Sequence, residues 1–228
     1  MTLTEFSNEF DTLVNVYSPT EFGRVNKLLF DEYEKSVFLT KAQEEIIIGL
    51  YNGNNVLGDS FEATEEIKRY LSSNIKTIEL SPETEESTGV SKNSYFFKLP
   101  EDVMFIVYES VVFSNSALSC DKDVMVSSVT LDDYLKTTRN PFKKPNNKRV
   151  LRLDIAGNIV ELVSDNTISK YLLRYVGTPS PIILIDLPDG LSVNNINKKT
   201  DCKVNSSLHR SILDRAVQMA ISSKIANK

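Results

Sequence analysis

The sequence predicts an α+β protein in which an N-terminal helical group and a C-terminal helix pack together, with a β-rich insertion between them. Three observations predict it. Apolar residues recur at helical spacing in the first third and again at the end. Alternating or continuous apolar runs fill the middle, and Gly, Pro and Asn punctuate those runs. The expected parts are a helical part over residues 1–74, completed by a helix over 205–225, and a β-rich part over 75–204, together one continuous unit.

Phe6, Phe10, Leu13, Val14 and Tyr17 predict an amphipathic helix over 4–17, with Thr4 as cap and Pro19 and Gly23 ending it. A short helical piece is expected over 31–37. A second start signal follows, because Thr40 and Gln43 have capping-box spacing, and Glu44 and Glu45 suit the positive end of a helix dipole. Leu39, Ala42, Ile46 and Leu50 would form its buried stripe, and Asn52-Gly53 its left-handed stop. A further helix is expected from Phe61 to Ser72.

From Ile75 the period changes to that of strands. Strands are expected over 76–80, 95–99, 103–113 and 124–129, with a polar loop over 81–94 and a short capped helix over 130–135. The runs 150–155 and 159–163 flank Ala156-Gly157-Asn158, a hairpin signal. Strands over 171–176 and 182–185 follow, and Leu208, Ile212, Ala216, Met219 and Ala220 return to helical spacing up to Lys224.

Composition narrows the function classes. At 228 residues with 41% hydrophobic and 25% charged side chains, the chain can build a sizeable core, so wholesale disorder is not expected. A net charge of −5 argues against nucleic-acid binding through the global field. Cys120 and Cys202, far apart in sequence, read as isolated thiols of a reducing compartment. The N-terminus lacks a secretory pattern and no apolar run approaches a membrane span, so a soluble, cytoplasmically made protein is expected.

The residues offer no catalytic set. His209 is the only histidine and stands at the first turn of a helix with no nucleophile elbow, which gives it a capping or packing role. One histidine and two distant cysteines make no metal-ligand spacing, and the glycines at 53 and 58 lack the Lys-Ser/Thr ending of a phosphate loop. No enzyme activity, cofactor or metal is expected. The charge pattern is more informative. Lys136, Arg139, Lys143, Lys144, Lys148, Arg149 and Arg152 fall between Tyr134 and Leu153 with no acidic residue among them. They read either as a solvated loop or as a surface that docks on an acidic neighbour or on phosphates.

Three blocks carry a family resemblance: residues 32–45 (EYEKSVFLTKAQEE), residues 139–145 and 148–153 (RNPFKKP and KRVLRL), and residues 171–175, 179–184, Cys202 and 208–217. In these the chain resembles virion structural proteins of crAss-like and related Bacteroides tailed phages, including head–tail connector proteins. The resemblance implies a 12-fold homo-oligomeric ring beneath the portal, made in the host cytoplasm and built into the virion. Its partners would be the portal and neighbouring tail or ring proteins, and genomic DNA would pass through without specific binding. It carries no catalytic residues. Another virion component, or a phage DNA-processing or DNA-binding protein, is the alternative. Ring contacts are heterologous, so one subunit needs two different complementary surfaces. The candidates are the basic Lys143, Lys144, Lys148 and Arg149 and the acidic Glu83, Glu85 and Glu86, with Glu79 beside them.

Overall fold

The structure, a computed structural model, describes residues 1–17, 29–54, 60–61, 64–83, 89–114 and 124–226. Its helices are α1 (Leu3–Tyr17), α2 (Glu32–Asn52), α3 (Glu65–Leu71), α4 (Leu131–Arg139) and α5 (His209–Ala226). Its strands are β1 (Ile75–Leu80), β2 (Ser94–Lys98), β3 (Val103–Phe113), β4 (Val124–Ser128), β5 (Arg149–Ile155), β6 (Ile159–Val163) and β7 (Ile168–Gly177). The chain divides into two compact units, 1–74 with 178–228, and 75–177.

In the first unit α5 packs against α1 and α2. Helix α1 starts two residues earlier than Thr4 suggested. The Thr2 hydroxyl accepts the Glu5 amide at 3.3 Å, and the Glu5 carboxylate accepts the Thr2 amide at 2.7 Å. Phe6, Phe10 and Val14 are fully buried, as helical spacing requires.

The two helices expected over 31–50 are a single one. The capping box sits on Asp31 and Glu34, and α2 runs unbroken from there to Gly53, whose φ of 80° supplies the expected left-handed stop. Thr40 and Gln43 are therefore mid-helix and buried, and they do different work. The Thr40 hydroxyl accepts the Ile182 amide at 3.1 Å, and the Gln43 amide donates to the Ser180 carbonyl at 2.9 Å. One turn earlier, Ser36 accepts the Leu184 amide at 3.0 Å. This row of side chains takes up backbone groups that a strand over 182–185 would have paired. Instead of that strand, the structure has an irregular segment with one isolated bridge, Ile183 to Thr200. Helix α3 is also shorter than expected, beginning at Glu65 with Thr64 as its cap.

In the second unit the strands form one seven-stranded sheet in the order β1-β7-β3-β4-β5-β6-β2. All pairs are antiparallel except β4 with β5, which α4 connects. The sheet curls. Glu83, on the chain leaving one edge strand, donates its amide to the Phe96 carbonyl of the other edge strand at 2.8 Å. Residues on alternate positions then share one interior, among them Phe97, Val111, Val126, Val150, Leu162 and Leu173, with Ile78 packed against them. The expected hairpin is β5–β6, with Gly157 at φ 78° and Asn158 at φ 58°. Strand pairing ends at Gly177, short of the expected 204, because residues 178–204 pair mainly with side chains of α2 and with themselves.

A candidate assembly surface

Helix α4 begins on Thr130, whose hydroxyl accepts the Asp133 amide, and lays Tyr134 over Leu151, Leu153 and Val163 on the outer face of β5 and β6. It stops at Asn140, ahead of Pro141. From there the basic loop is held by its own hydrogen bonds. The Asn140 carbonyl accepts the amides of Lys143 (3.0 Å) and Lys144 (2.9 Å), and its side-chain oxygen accepts the Phe142 amide (2.9 Å). Asn146 accepts the Lys148 amide at 2.8 Å and bridges to Arg149. Arg149 Nη1 donates to the Phe142 carbonyl at 2.7 Å, which ties the end of the loop to its beginning.

Lys143, Lys144 and Lys148 are exposed on this loop, whereas Arg149 is half-buried. Phe142 is 87% exposed, an aromatic ring presented on a fixed turn. A cleft of about 810 Å³ opens between α4, the loop and the ends of β4 and β5. Lys143 and Arg149 line it. Lys144 and Lys148 do not.

Two residues of the basic stretch belong elsewhere. Lys136, which also lines the cleft, is met by Asp133 at 3.2 Å. Arg152 shares the inner face of β5 with Val150, and its Nη1 lies 3.0 Å from both oxygens of Glu109. Nη2 donates to Ser128, while Nε lies 3.2 Å from Asp154 without hydrogen-bond alignment. Burial opposes the charge of Arg152, but Glu109 and Asp154 outweigh it and hold the guanidinium firmly protonated. The Tyr171 hydroxyl donates to Glu109 at 2.6 Å, and burial, reinforced by that carboxylate, drives its pKa upward, so it stays a donor. Arg152 is thus a core cation rather than part of a docking surface.

On the acidic side, Glu79 pairs with Lys170 at 2.7 Å. Glu83 is exposed at the seam where the β1 and β2 edges meet. Glu85 and Glu86 lie outside the described residues. The basic loop and the seam occupy different walls of the curled sheet, with β1, β7 and β3 between the seam and β4 one way round, and β2 and β6 between it and β5 the other. Phe142 is the residue that charge counting missed. Its signal was an aromatic between Asn140-Pro141 and the turn-forming Pro145-Asn146-Asn147, a turn-bound position rather than a strand or helix one.

His209 is buried against the Phe6 ring. Its Nε2 lies 3.0 Å from the Val204 carbonyl, and its Nδ1 lies 2.7 Å from the Met1 amino group. Burial, with the amino terminus adding to it, lowers its pKa below the ordinary value of 6.5. Cys202 is half-buried, its thiol 3.4 Å from the Gln43 side-chain oxygen, and burial pushes its pKa up. Cys120 lies outside the described residues. Among those residues, no group of three or more His, Cys, Asp or Glu side chains could hold a metal ion, and no helix is long and apolar enough to cross a membrane.

The family model described as "Phage tail ring protein 3/4" matches residues 1–228. The chain is similar to "Ring protein 3" of Bacteroides phage crAss001, 48% identical over 227 residues, which cover 98% of this chain and 96% of that protein. It is also similar to "Ring protein 4/5" of the same phage, 31% identical over 230 residues, with 96% and 92% covered.

Proposed function

The chain belongs to the phage tail ring protein family and is a structural protein of a crAss-like phage virion, and from that premise we propose that it is a head-to-tail connector. In this reading, copies join into a ring beneath the portal, contact the portal and the adjoining ring proteins, and enclose the path of the genome. The protein works through its contacts and performs no chemistry. The reading rests most on one observation: a basic loop and the exposed Glu83 at the β1–β2 seam occupy different walls of one small sheet. A closed ring needs that arrangement, because each subunit must offer its neighbours two non-identical faces. The excess of negative charge in the chain also suits a conduit that lets DNA slide without gripping it.

The basic face would consist of Lys143, Lys144, Lys148 and Arg149, and the acidic face of Glu83, Glu85 and Glu86. The protein would be made and assembled in the host cytoplasm. Copy number in purified particles tests the reading. A 12-fold connector gives about a dozen copies per particle, the expectation from portal symmetry. Hundreds of copies would point to a capsid-associated role, and absence from particles would end the proposal.

A further inference from the structure

Two of the four basic residues differ from the rest in where they stand. Lys143 and Arg149 line the cleft beside α4, and Phe142 stands at its rim. Three cations line this space, Lys136, Lys143 and Arg149, against one carboxylate, Asp133, which is already engaged with Lys136. The uncompensated positive charge therefore sits on Lys143 and Arg149. Arg149 spends Nη1 on the Phe142 carbonyl, and its buried Nε has no acceptor among the described residues. The remaining lining is a mixture of hydroxyls, such as Thr130 and Thr137, and apolar surface from Val129, Phe142 and Leu151.

We propose that this cleft is a socket for the acidic seam of a neighbouring copy of the same chain, with the Glu83 carboxylate meeting Lys143 and Arg149 and with Phe142 as the apolar anchor. The inference rests on the ring reading and narrows it to one contact. Two features favour a protein carboxylate over a phosphate backbone. The cations converge in a concave space rather than running along a track, and the lining is half apolar. Glu83 suits the role of ligand. It is exposed, it has no ion pair among the described residues, and its backbone is pinned to Phe96, so little ordering is lost on docking. The loop is likewise fixed by its own hydrogen bonds, and an aromatic and an arginine held in place are the usual anchors of a tight contact. Socket and seam lie on different walls, so the contact does not use itself up and can repeat around a ring.

The test is ring formation by the purified full chain, read by electron microscopy and mass photometry over a concentration series. Lys143→Glu and Glu83→Lys each replace an exposed side chain, so both variants should fold. Each should lower ring content roughly tenfold or more, and the double variant should restore it. Lys144→Glu, on the same basic face but outside the cleft, should cost far less, about twofold or under. Wild-type rings with Lys143→Glu assembling normally, or with no rescue in the double variant, would overturn the socket while leaving the ring reading intact. A variant that forms normal rings but loses retention of double-stranded DNA would overturn it in favour of a phosphate site. A wild-type chain that stays monomeric at every concentration would sink the ring reading, and the socket with it.

Discussion

The helical unit and the curled sheet settle the same problem, buried backbone polarity, in opposite ways. In the sheet, ladder hydrogen bonds pair the backbone, and most buried polar side chains serve one another or a nearby loop, as in Glu109, Arg152 and Tyr171 or in Glu161 beneath the Val90 amide. In the helical unit, the segment after Gly177 lacks a partner strand. A row of α2 side chains, Ser36, Thr40 and Gln43, takes up its backbone groups at Leu184, Ile182 and Ser180, and the segment pairs Ile183 with Thr200 itself. The difference teaches where each unit is fragile: the sheet at its buried charges, the helical unit at neutral side chains of one helix.

The largest effect should come from Arg152→Met. Removing the cation leaves the largely buried Glu109 carboxylate with the Tyr171 hydroxyl but no cation, which costs about 3 kcal/mol. Urea unfolding measures the loss, and the Glu109→Gln/Arg152→Met double variant should recover part of it. A loss below roughly 1 kcal/mol, as for an exposed pair, would return Arg152 to the surface charges.

Thr40→Val should act next. It keeps the shape of the side chain but strands the buried Ile182 amide, at about 1–3 kcal/mol. Hydrogen exchange localises the effect, and protection should fall at 180–184 while the sheet amides keep theirs. Uniform loss across both units would mean that the two do not settle their polarity independently.

The pH effect is smaller. His209 is held neutral by burial and by the adjacent amino terminus, so its folded pKa lies below 6.5. The unfolded chain then binds the additional proton, and stability, complete above that pH, falls as pH drops below about 6.5. Because the chain has a single histidine, His209→Gln should flatten the dependence between pH 7.5 and 5.5. An unchanged slope would assign it to carboxylates. Least affected should be Lys148→Glu, within about 0.5 kcal/mol of wild type in urea unfolding, since the loop holds Lys148 by its amide rather than its ammonium group.

Legibility in the sequence followed the range of the interaction. The β5–β6 hairpin, the Thr130 start of α4 and the Gly53 stop of α2 are fixed by neighbours in the chain, and turn and cap chemistry found all three. Thr40 and Gln43 misled because the same spacing that caps a helix also lines one face of it. Their partners are some 140 residues away, where no local pattern reaches. Arg152 misled because both faces of β5 are covered, one by α4 and one by the sheet interior, so no alternation marked it as buried. The candidate surface was half legible. Charge counting singled out Lys143, Lys144, Lys148 and Arg149 together, and only the folded loop places Lys143 and Arg149 in the cleft and turns Phe142 outward.

A density map of the intact particle tests the connector reading most directly. It should place this chain as one closed ring around the DNA axis beneath the portal, each copy turning its α4 cleft toward the Glu83 seam of the next. Copies scattered over the capsid, or a ring whose neighbours meet with the cleft facing solvent, would contradict it.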